Sequence, residues 1–411
     1  MRSLDPDRIR RVVSEHGTPV YAYDADVLRA QTRSLQAFDV VRYAQKACSN
    51  THILKLLRAE GALVDSVSLG ELERAARAGF TPDGEPPGVV FTADIFNGPT
   101  LDRVVEADIP VNAGSEDMLS QLGERKRGHK VWLRVNPGFG SGHSRKTSTG
   151  GESSKHGIWH ENLPGALERI DAYDLDLVGL HMHIGSGADI EHLKRVCRAM
   201  VDCVRSIERD VRAISGGGGL PIPYRDGESG IDVEAYFGCW DAARREVEEI
   251  VGHRVLLEIE PGRYIAGASG VLVGEVRATK TMGNNFFAVV DAGFDNLLRP
   301  AMYGSWHEIS LIPQNGGTAG RPERATLVGG PLCESGDVFT QESGGIVVPR
   351  ELPEARVGDL LVLHDAGAYA ASMASNYNSR PLAPEVLVDG DDIRLIRRRQ
   401  EIDDLLALEE V

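Results

Sequence analysis

From residue 40 to about residue 265 the chain alternates eight times between a short apolar run and an amphipathic helical stretch. The apolar runs fall at 40–46, 63–68, 89–93, 110–113, 131–137, 177–185, 212–215 and 255–262. Among the helical stretches, Asn50 opens the first, Ser115 precedes an acidic first turn as an N-cap does, and 190–207 and 233–251 are the longest. Eight such units in roughly 230 residues have the count and size of a (β/α)8 TIM-like barrel. An open doubly wound sheet fits less well, because no Gly-x-Gly-x-x-Gly follows the first run. After residue 269 the rhythm changes. Strand-like runs at 271–276, 286–290, 326–328, 360–363 and 386–388 are separated by Gly, Pro and Asp turns, with no long helix before the tail. The sequence thus predicts an α/β architecture in three parts. Residues 1–26 form an N-terminal segment whose Val20-Tyr21-Ala22-Tyr23 strand pairs with the β domain, residues 27–268 form the barrel, and residues 269–411 form a C-terminal β domain.

The charge balance narrows the class of partner. Lys and Arg number 45 against 61 Asp and Glu, a formal charge of −16. Nucleic acid and anionic lipid need basic surfaces, so neither is expected. The opening Met1-Arg2-Ser3-Leu4-Asp5-Pro6 has no apolar core of a signal peptide, and no run approaches the roughly twenty apolar residues of a membrane span. The five cysteines, Cys48, Cys197, Cys203, Cys239 and Cys333, show neither zinc nor redox spacing. The expectation is a cytoplasmic protein with reduced thiols, no metal and a small-molecule substrate.

In a barrel of this kind the chemistry sits at the C-terminal ends of the strands. Lys46 ends the first run. Lysine amines form Schiff bases with carbonyl compounds, pyridoxal phosphate included, although a lone strand-end lysine is usually a solvated surface charge. His183 and Ser186 follow the sixth run in His-Ile-Gly-Ser-Gly. Gly216 to Gly219 follow the seventh, and Glu260, Gly262 and Arg263 lie in the Glu-Pro-Gly-Arg after the eighth. A glycine turn lets backbone N–H groups approach a phosphate closely, and loops after barrel strands seven and eight are a common phosphate site. Elsewhere a glycine run is mostly a flexible loop, and a lone His183 would read as a core histidine bonded to backbone. A lysine, a phosphate cradle and a buried carboxylate together describe a pyridoxal phosphate site. The lysine holds the aldehyde and the carboxylate keeps the pyridine nitrogen protonated. The ring then accepts the electrons left on a substrate carbon when its α-carboxylate departs as carbon dioxide.

Seven segments, in order, carry a family likeness: Gln-Lys-Ala-Cys-Ser-Asn, Val-Asp-Ser-Val-Ser-Leu-Gly-Glu, His-Met-His-Ile-Gly-Ser-Gly, Glu-Pro-Gly-Arg, Leu-Leu-Arg-Pro-Ala-Met-Tyr, Cys-Glu-Ser-Gly-Asp and Asp-Ala-Gly-Ala-Tyr. From residue 18 almost to the C-terminus the chain resembles the diaminopimelate decarboxylases. That resemblance implies an alanine-racemase-fold (fold type III), pyridoxal phosphate-dependent homodimer with active sites shared between subunits. The implied reaction converts meso-2,6-diaminopimelate to L-lysine and carbon dioxide, the last step of lysine biosynthesis.

The resemblance also assigns roles. Lys46 is the Schiff-base lysine, while Asp65 and Glu71 support a ring-stacking His183. Ser186, Gly217, Gly218 and Gly219 bind phosphate, Glu260 meets the pyridinium nitrogen, and Gly262 and Arg263 border the cofactor. Arg263, Arg299 and Tyr303 hold the distal carboxylate of the substrate, and Tyr369 touches both phosphate and substrate. Cys333, as proton donor, and Glu334, as partner of the distal ammonium, come from the neighbouring subunit. The division suits a substrate with an ammonium and a carboxylate at each end, whose distal centre needs one bidentate cation and one anion. Two places depart from the family pattern: Asp295-Asn296 stands where relatives usually have Asn-Asp, and the glycine run ends Gly219-Leu220-Pro221 rather than Gly-Leu-Gly.

A decarboxylase of ornithine, arginine, carboxynorspermidine or a special metabolite is opposed by the Arg263, Arg299 and Glu334 set, since most of those substrates lack one distal charge. An amino-acid racemase of this fold typically meets the pyridine nitrogen with arginine, against Glu260 here. A non-catalytic pyridoxal phosphate carrier resembles the barrel alone and has no use for Cys333 and Glu334.

Overall fold

All eight predicted runs become parallel strands, and the eighth returns to the first. The computed structural model describes residues 4–140, 149–183, 185, 189–315, 317–318 and 320–409. Contacts divide the chain into two units. One comprises Arg29–Pro221 and Gly230–Tyr264, the other Met1–Leu28, Ile222–Ser229 and Ile265–Val411.

Strand β1 (Val20–Asp24) precedes the barrel unit. The barrel strands are β2 (Val40–Ala44), β3 (Leu63–Ser66), β4 (Val89–Ala93), β5 (Val111–Ala113), β6 (Lys130–Asn136), β8 (Asp176–His181), β9 (Ala213–Ser215) and β10 (Leu256–Ile259), with a two-residue β7 (Ile158–Trp159) beside β6. Each barrel strand pairs in parallel with the next, and β10 closes on β2 with Glu258 opposite Val40 and Ile259 opposite Val41. Closure leaves the barrel sheet without the unpaired edges that an open sheet must protect. Six of the helices between these strands start on side-chain caps, while the Leu163–Tyr173 helix has none. Asn50, Ser68, Asn97, Ser115, Asp189 and Asp232 each accept a backbone N–H from the first turn that follows. Each such cap is worth about 1 kcal/mol over alanine.

Where the last strand meets the first, Arg42 and Glu258 form a fork-to-fork ion pair. Arg42 Nε lies 2.9 Å from Glu258 Oε2, and Nη2 lies 3.1 Å from Oε1. Arg42 Nη1 donates to the Pro87 carbonyl at 2.6 Å. The two side chains are only 1% and 3% exposed. Charges this deep are tolerated because nearly every donor finds an acceptor, and removing one partner strands the other without water.

In the second unit β1 is a central strand. It pairs antiparallel with β11 (Gly270–Met282), Val20 opposite Val273, and parallel with β19 (Glu385–Asp389). The sheet is completed by β12 (Asn285–Val290), β13 (Ile309–Ile312), β14 (Glu323–Gly329), β17 (Arg350–Pro353), β18 (Leu360–Leu363) and β20 (Asp392–Arg397), and a small hairpin joins β15 (Gln341–Glu342) to β16 (Ile346–Val347). Ile9 and Val12 of the Pro6–His16 helix pack on Ala22, Val271, Val362 and Val386, so the first residues of the chain help build the core of its last third. Among the described residues no helix is long and apolar enough to cross a membrane.

The buried fork generates a stability test. Arg42→Met and Glu258→Leu are each expected to cost about 3–5 kcal/mol in urea unfolding, because each leaves one uncompensated buried charge. The double substitution should recover a large part of that loss; a double variant as weak as the sum of the singles would contradict the assignment.

Candidate active site

The C-terminal mouth of the barrel is built by chain that has just left a strand. The sequence places Lys46 at the end of its strand, but β2 stops at Ala44, and Lys46 is carried, exposed, on the single 3-10 turn Gln45–Ala47. Two contacts make that turn. Gln45 Nε2 donates to Ser66 Oγ at 2.7 Å and to the Glu71 carbonyl at 3.1 Å. The Glu-Pro-Gly-Arg segment runs so close that a Cβ on Gly262 would stand 3.0 Å from the Ala44 oxygen and 3.1 Å from Ala47 Cβ. Gly262 thus serves packing: it lets the turn carrying the lysine lie against the chain leaving the last strand.

Two buried carboxyls share this mouth and are driven in opposite directions. Glu260 Oε2 lies 2.8 Å from His181 Nε2. Burial alone would raise Glu260, but the charge and hydrogen bond of His181, with the Arg134 guanidinium, hold it below the usual carboxylate range and favour its anion. Asp65 is pushed up, first by burial and then by the charge of Glu260; the Thr92 hydrogen bond and the Lys46 ammonium only partly oppose that. Its Oδ1 is buried without a hydrogen-bond partner among the described residues. The pair therefore separates into one ionised and one proton-retaining carboxyl, the arrangement by which a site assigns different duties to like groups.

His183 follows β8 and is held neutral, first by burial and then by the Lys46 and Arg134 charges. Its Nδ1 accepts the Gly218 N–H at 3.1 Å, so the neutral ring carries its proton on Nε2. Glu71 is raised by burial and pulled back in part by the Val67 N–H, which its Oε2 accepts at 2.7 Å. Lys46 acts electrostatically on Asp65, Glu71 and His183 alike. The mouth therefore does bring these four predicted residues together.

The glycine turn after β9 has no room for side chains. A Cβ on Gly218 would stand 2.4 Å from the Glu260 oxygen, and one on Gly219, at φ +105°, 2.2 Å from the Gly185 oxygen. Backbone packs directly on backbone there, as a phosphate cradle requires. Ser186 lies outside the described residues. Leu220, after the turn, is buried, and Pro221 ends this stretch of the barrel unit.

Arg299, Tyr303, Cys333, Glu334 and Tyr369 lie in the second unit. Arg299 is buried at the start of the short helix Arg299–Tyr303, and Tyr369 has a positive φ of 59°. Cys333 and Glu334 are exposed on a tight turn pinned by Asp337, whose carboxylate oxygens accept the Phe294 N–H at 2.7 Å and the Leu332 N–H at 2.8 Å. Asn378 Oδ1 accepts the Cys333 N–H at 2.8 Å. The departing pair Asp295-Asn296 is buried in this unit. Burial raises the Asp295 carboxyl to about 6 against the pull of Arg380, and Asn296 Oδ1 accepts the Gly293 N–H at 3.2 Å.

Sequence reasoning missed His181, Arg134 and Thr92, which set the charge states of Glu260, Asp65 and His183. One signal was available. In His-Met-His, residues two apart share a strand face, so a histidine assigned to the mouth at 183 implies another beneath it at 181.

The family model of the pyridoxal binding domain of pyridoxal-dependent decarboxylases matches residues 24–267. Diaminopimelate decarboxylase of Escherichia coli K12 is 58% identical over 407 residues, covering 99% of this chain and 97% of that protein. A crystal structure of a diaminopimelate decarboxylase, also 58% identical, superposes with a TM-score of 0.97 over 99% of this chain and 97% of its own. The Helicobacter pylori diaminopimelate decarboxylase crystallised with L-lysine is 29% identical, with a TM-score of 0.87 over 98% of this chain and 99% of its own. With likeness extending over nearly its whole length and a barrel that gathers Lys46, His183 and Glu260 at one mouth, the chain belongs to the diaminopimelate decarboxylases, within the pyridoxal-dependent decarboxylases.

Proposed function

We propose that this chain decarboxylates meso-2,6-diaminopimelate to L-lysine and carbon dioxide, with pyridoxal phosphate held at the barrel mouth. The observation that carries the reading is the buried Glu260 carboxyl, 2.8 Å from His181 Nε2 at the mouth that also bears Lys46. An anion there suits a protonated pyridine nitrogen, whereas a racemase of this fold would place a cation. The donor set fits the cofactor: an exposed amine on Lys46, a side-chain-free turn at Gly217 to Gly219, and a neutral imidazole on His183. Bound pyridoxal phosphate supplies the electron sink that lets an α-carboxylate leave as carbon dioxide.

In this reading Lys46 Nζ would hold the aldehyde carbon of the cofactor. Gly217, Gly218 and Gly219, with Ser186 and Tyr369, would hold the phosphate, and His183, supported by Asp65 and Glu71, would pack against the ring. A protonated Asp65 adds no second anion beside Glu260. Arg299, with Arg263 and Tyr303, holds the distal carboxylate of the substrate, and Glu334 pairs with the distal ammonium. The Cys333 thiol then delivers its proton to the α-carbon that has lost its carboxylate. Cys333 and Glu334 stand exposed on a pinned turn, which supports their insertion into the site of a second copy; the working unit is then a homodimer, acting in the cytoplasm.

Carbon dioxide and lysine release from the meso isomer, measured beside LL-diaminopimelate, ornithine and arginine, tests the substrate. Brisk turnover of another amino acid with none of the meso isomer would sink the reading. Lys46→Ala should abolish both turnover and the visible absorbance of bound cofactor; an unchanged spectrum contradicts the role of Lys46. Cys333→Ala should lower kcat by ~10²–10⁴-fold, the range for a positioned proton donor. Mixing inactive Lys46→Ala and Cys333→Ala subunits should restore about one good site per mixed dimer by two-fold symmetry. No recovery in a verified mixed dimer argues against shared sites.

A further inference from the structure

Arg299 is gripped by a histidine to which nothing so far gives a role. Both residues are deeply buried, Arg299 at 5% and His307 at 2% exposure. His307 Nδ1 lies 2.8 Å from the His364 carbonyl oxygen. A carbonyl only accepts, so Nδ1 carries the hydrogen, and in the neutral ring Nε2 presents a lone pair. That nitrogen lies 2.8 Å from Arg299 Nη1, which donates to it. The Tyr224 ring lies beneath the guanidinium, 4.5 Å from its carbon, and meets His307 edge-on at 5.4 Å and 73°.

Tyr224 belongs to Ile222–Ser229, the short stretch contributed to this unit between the two parts of the barrel unit. The stretch is tied down further by Arg225 stacked on Trp306 at 4.3 Å and by the Asp226 N–H donating to Glu308 at 3.0 Å. A guanidinium is planar and recognises a carboxylate through two parallel N–H bonds, so the orientation of its plane decides whether that fork forms. One hydrogen bond at Nη1 and one aromatic face fix that plane before any carboxylate arrives. Carbonyl, imidazole and guanidinium form one chain, and its first link, His364, precedes the loop that carries Tyr369.

We propose that His307, with Tyr224, is a positioning residue that sets the Arg299 guanidinium plane and thereby the preference for substrates with a distal carboxylate. The inference rests on the assignment of Arg299 to that carboxylate. The two nitrogens of His307 can be tested apart. Asparagine places an amide N–H near Nδ1 and nothing near Nε2; glutamine places an acceptor oxygen near Nε2. In the holoenzyme, H307N should raise KM for meso-diaminopimelate ~10-fold with kcat little changed, as loss of an oriented binding group does. H307Q should restore KM to within ~3-fold of the parent, because it keeps the bond to Arg299. Inhibition by a monocarboxylic diamine acid such as L-lysine, which has no distal carboxylate, should change little in either variant. Equal loss for both ligands, or equal KM in H307N and H307Q, overturns the proposal, since a purely structural histidine would not separate them. R299M is measured alongside. If R299M leaves KM unchanged, the assignment of Arg299 fails and the proposal with it. If R299M raises KM and H307N does not, only the positioning role fails.

Discussion

Closure of the barrel is the constraint on which the rest of the molecule depends. Arg42 and Glu258 are 216 residues apart in sequence, yet their side chains share a buried fork where β10 pairs with β2. The same pairing brings the Lys46 turn beside the Glu-Pro-Gly-Arg segment, because Gly262 allows the two backbones to touch. Lys46 and Glu260 are thus neighbours for the reason that Arg42 and Glu258 are: the first strand must find the last. One ion pair lies in the sheet and the candidate site lies at its mouth, a separation common to barrels whose interior is packed and whose loops carry function.

The mouth is electrostatically expensive. Asp65 Oδ1, His181 Nδ1 and Gln45 Oε1 are buried without a hydrogen-bond partner among the described residues. Each such group costs about 1–3 kcal/mol. Such costs concentrate where a fold does its work, because a site must hold polar groups for something other than its own stability. Here they also carry information. The charge of Glu260 is part of what keeps Asp65 protonated, and the Lys46 ammonium is part of what keeps His183 neutral.

Much of this could be read from the sequence, for identifiable reasons. The barrel was legible because each apolar run is followed by an amphipathic helix, and several helices announce themselves with Asn, Ser or Asp caps. In the second unit five strand runs were read, but β13, β17, β20 and the short β15–β16 hairpin were missed. Arg350–Pro353 and Asp392–Arg397 alternate charged with apolar residues over few positions, a weak signal for an edge or half-exposed strand. The strand expected to reach Lys46 ended two residues early, because Gln45 turns inward to Ser66 rather than continuing the ladder. Buried charge was the other blind spot. Arg42, Arg134 and Glu258 look like the solvated side of amphipathic strands, and only closure makes their partners visible.

The division of the chain into units has a consequence for inheritance. The second unit is assembled from three stretches, Met1–Leu28, Ile222–Ser229 and Ile265–Val411, so the backbone passes from one unit to the other four times. No single cut releases either unit, and neither is encoded by an unbroken span of gene. The eight-residue middle stretch, which brings Tyr224 to Arg299, is flanked on both sides by barrel sequence. A recombination that exchanged the C-terminal third for that of a relative would therefore leave this stretch behind. The chimera would combine the aromatic platform of one parent with the arginine of the other, so barrel and β unit are constrained to evolve as one gene rather than as exchangeable modules.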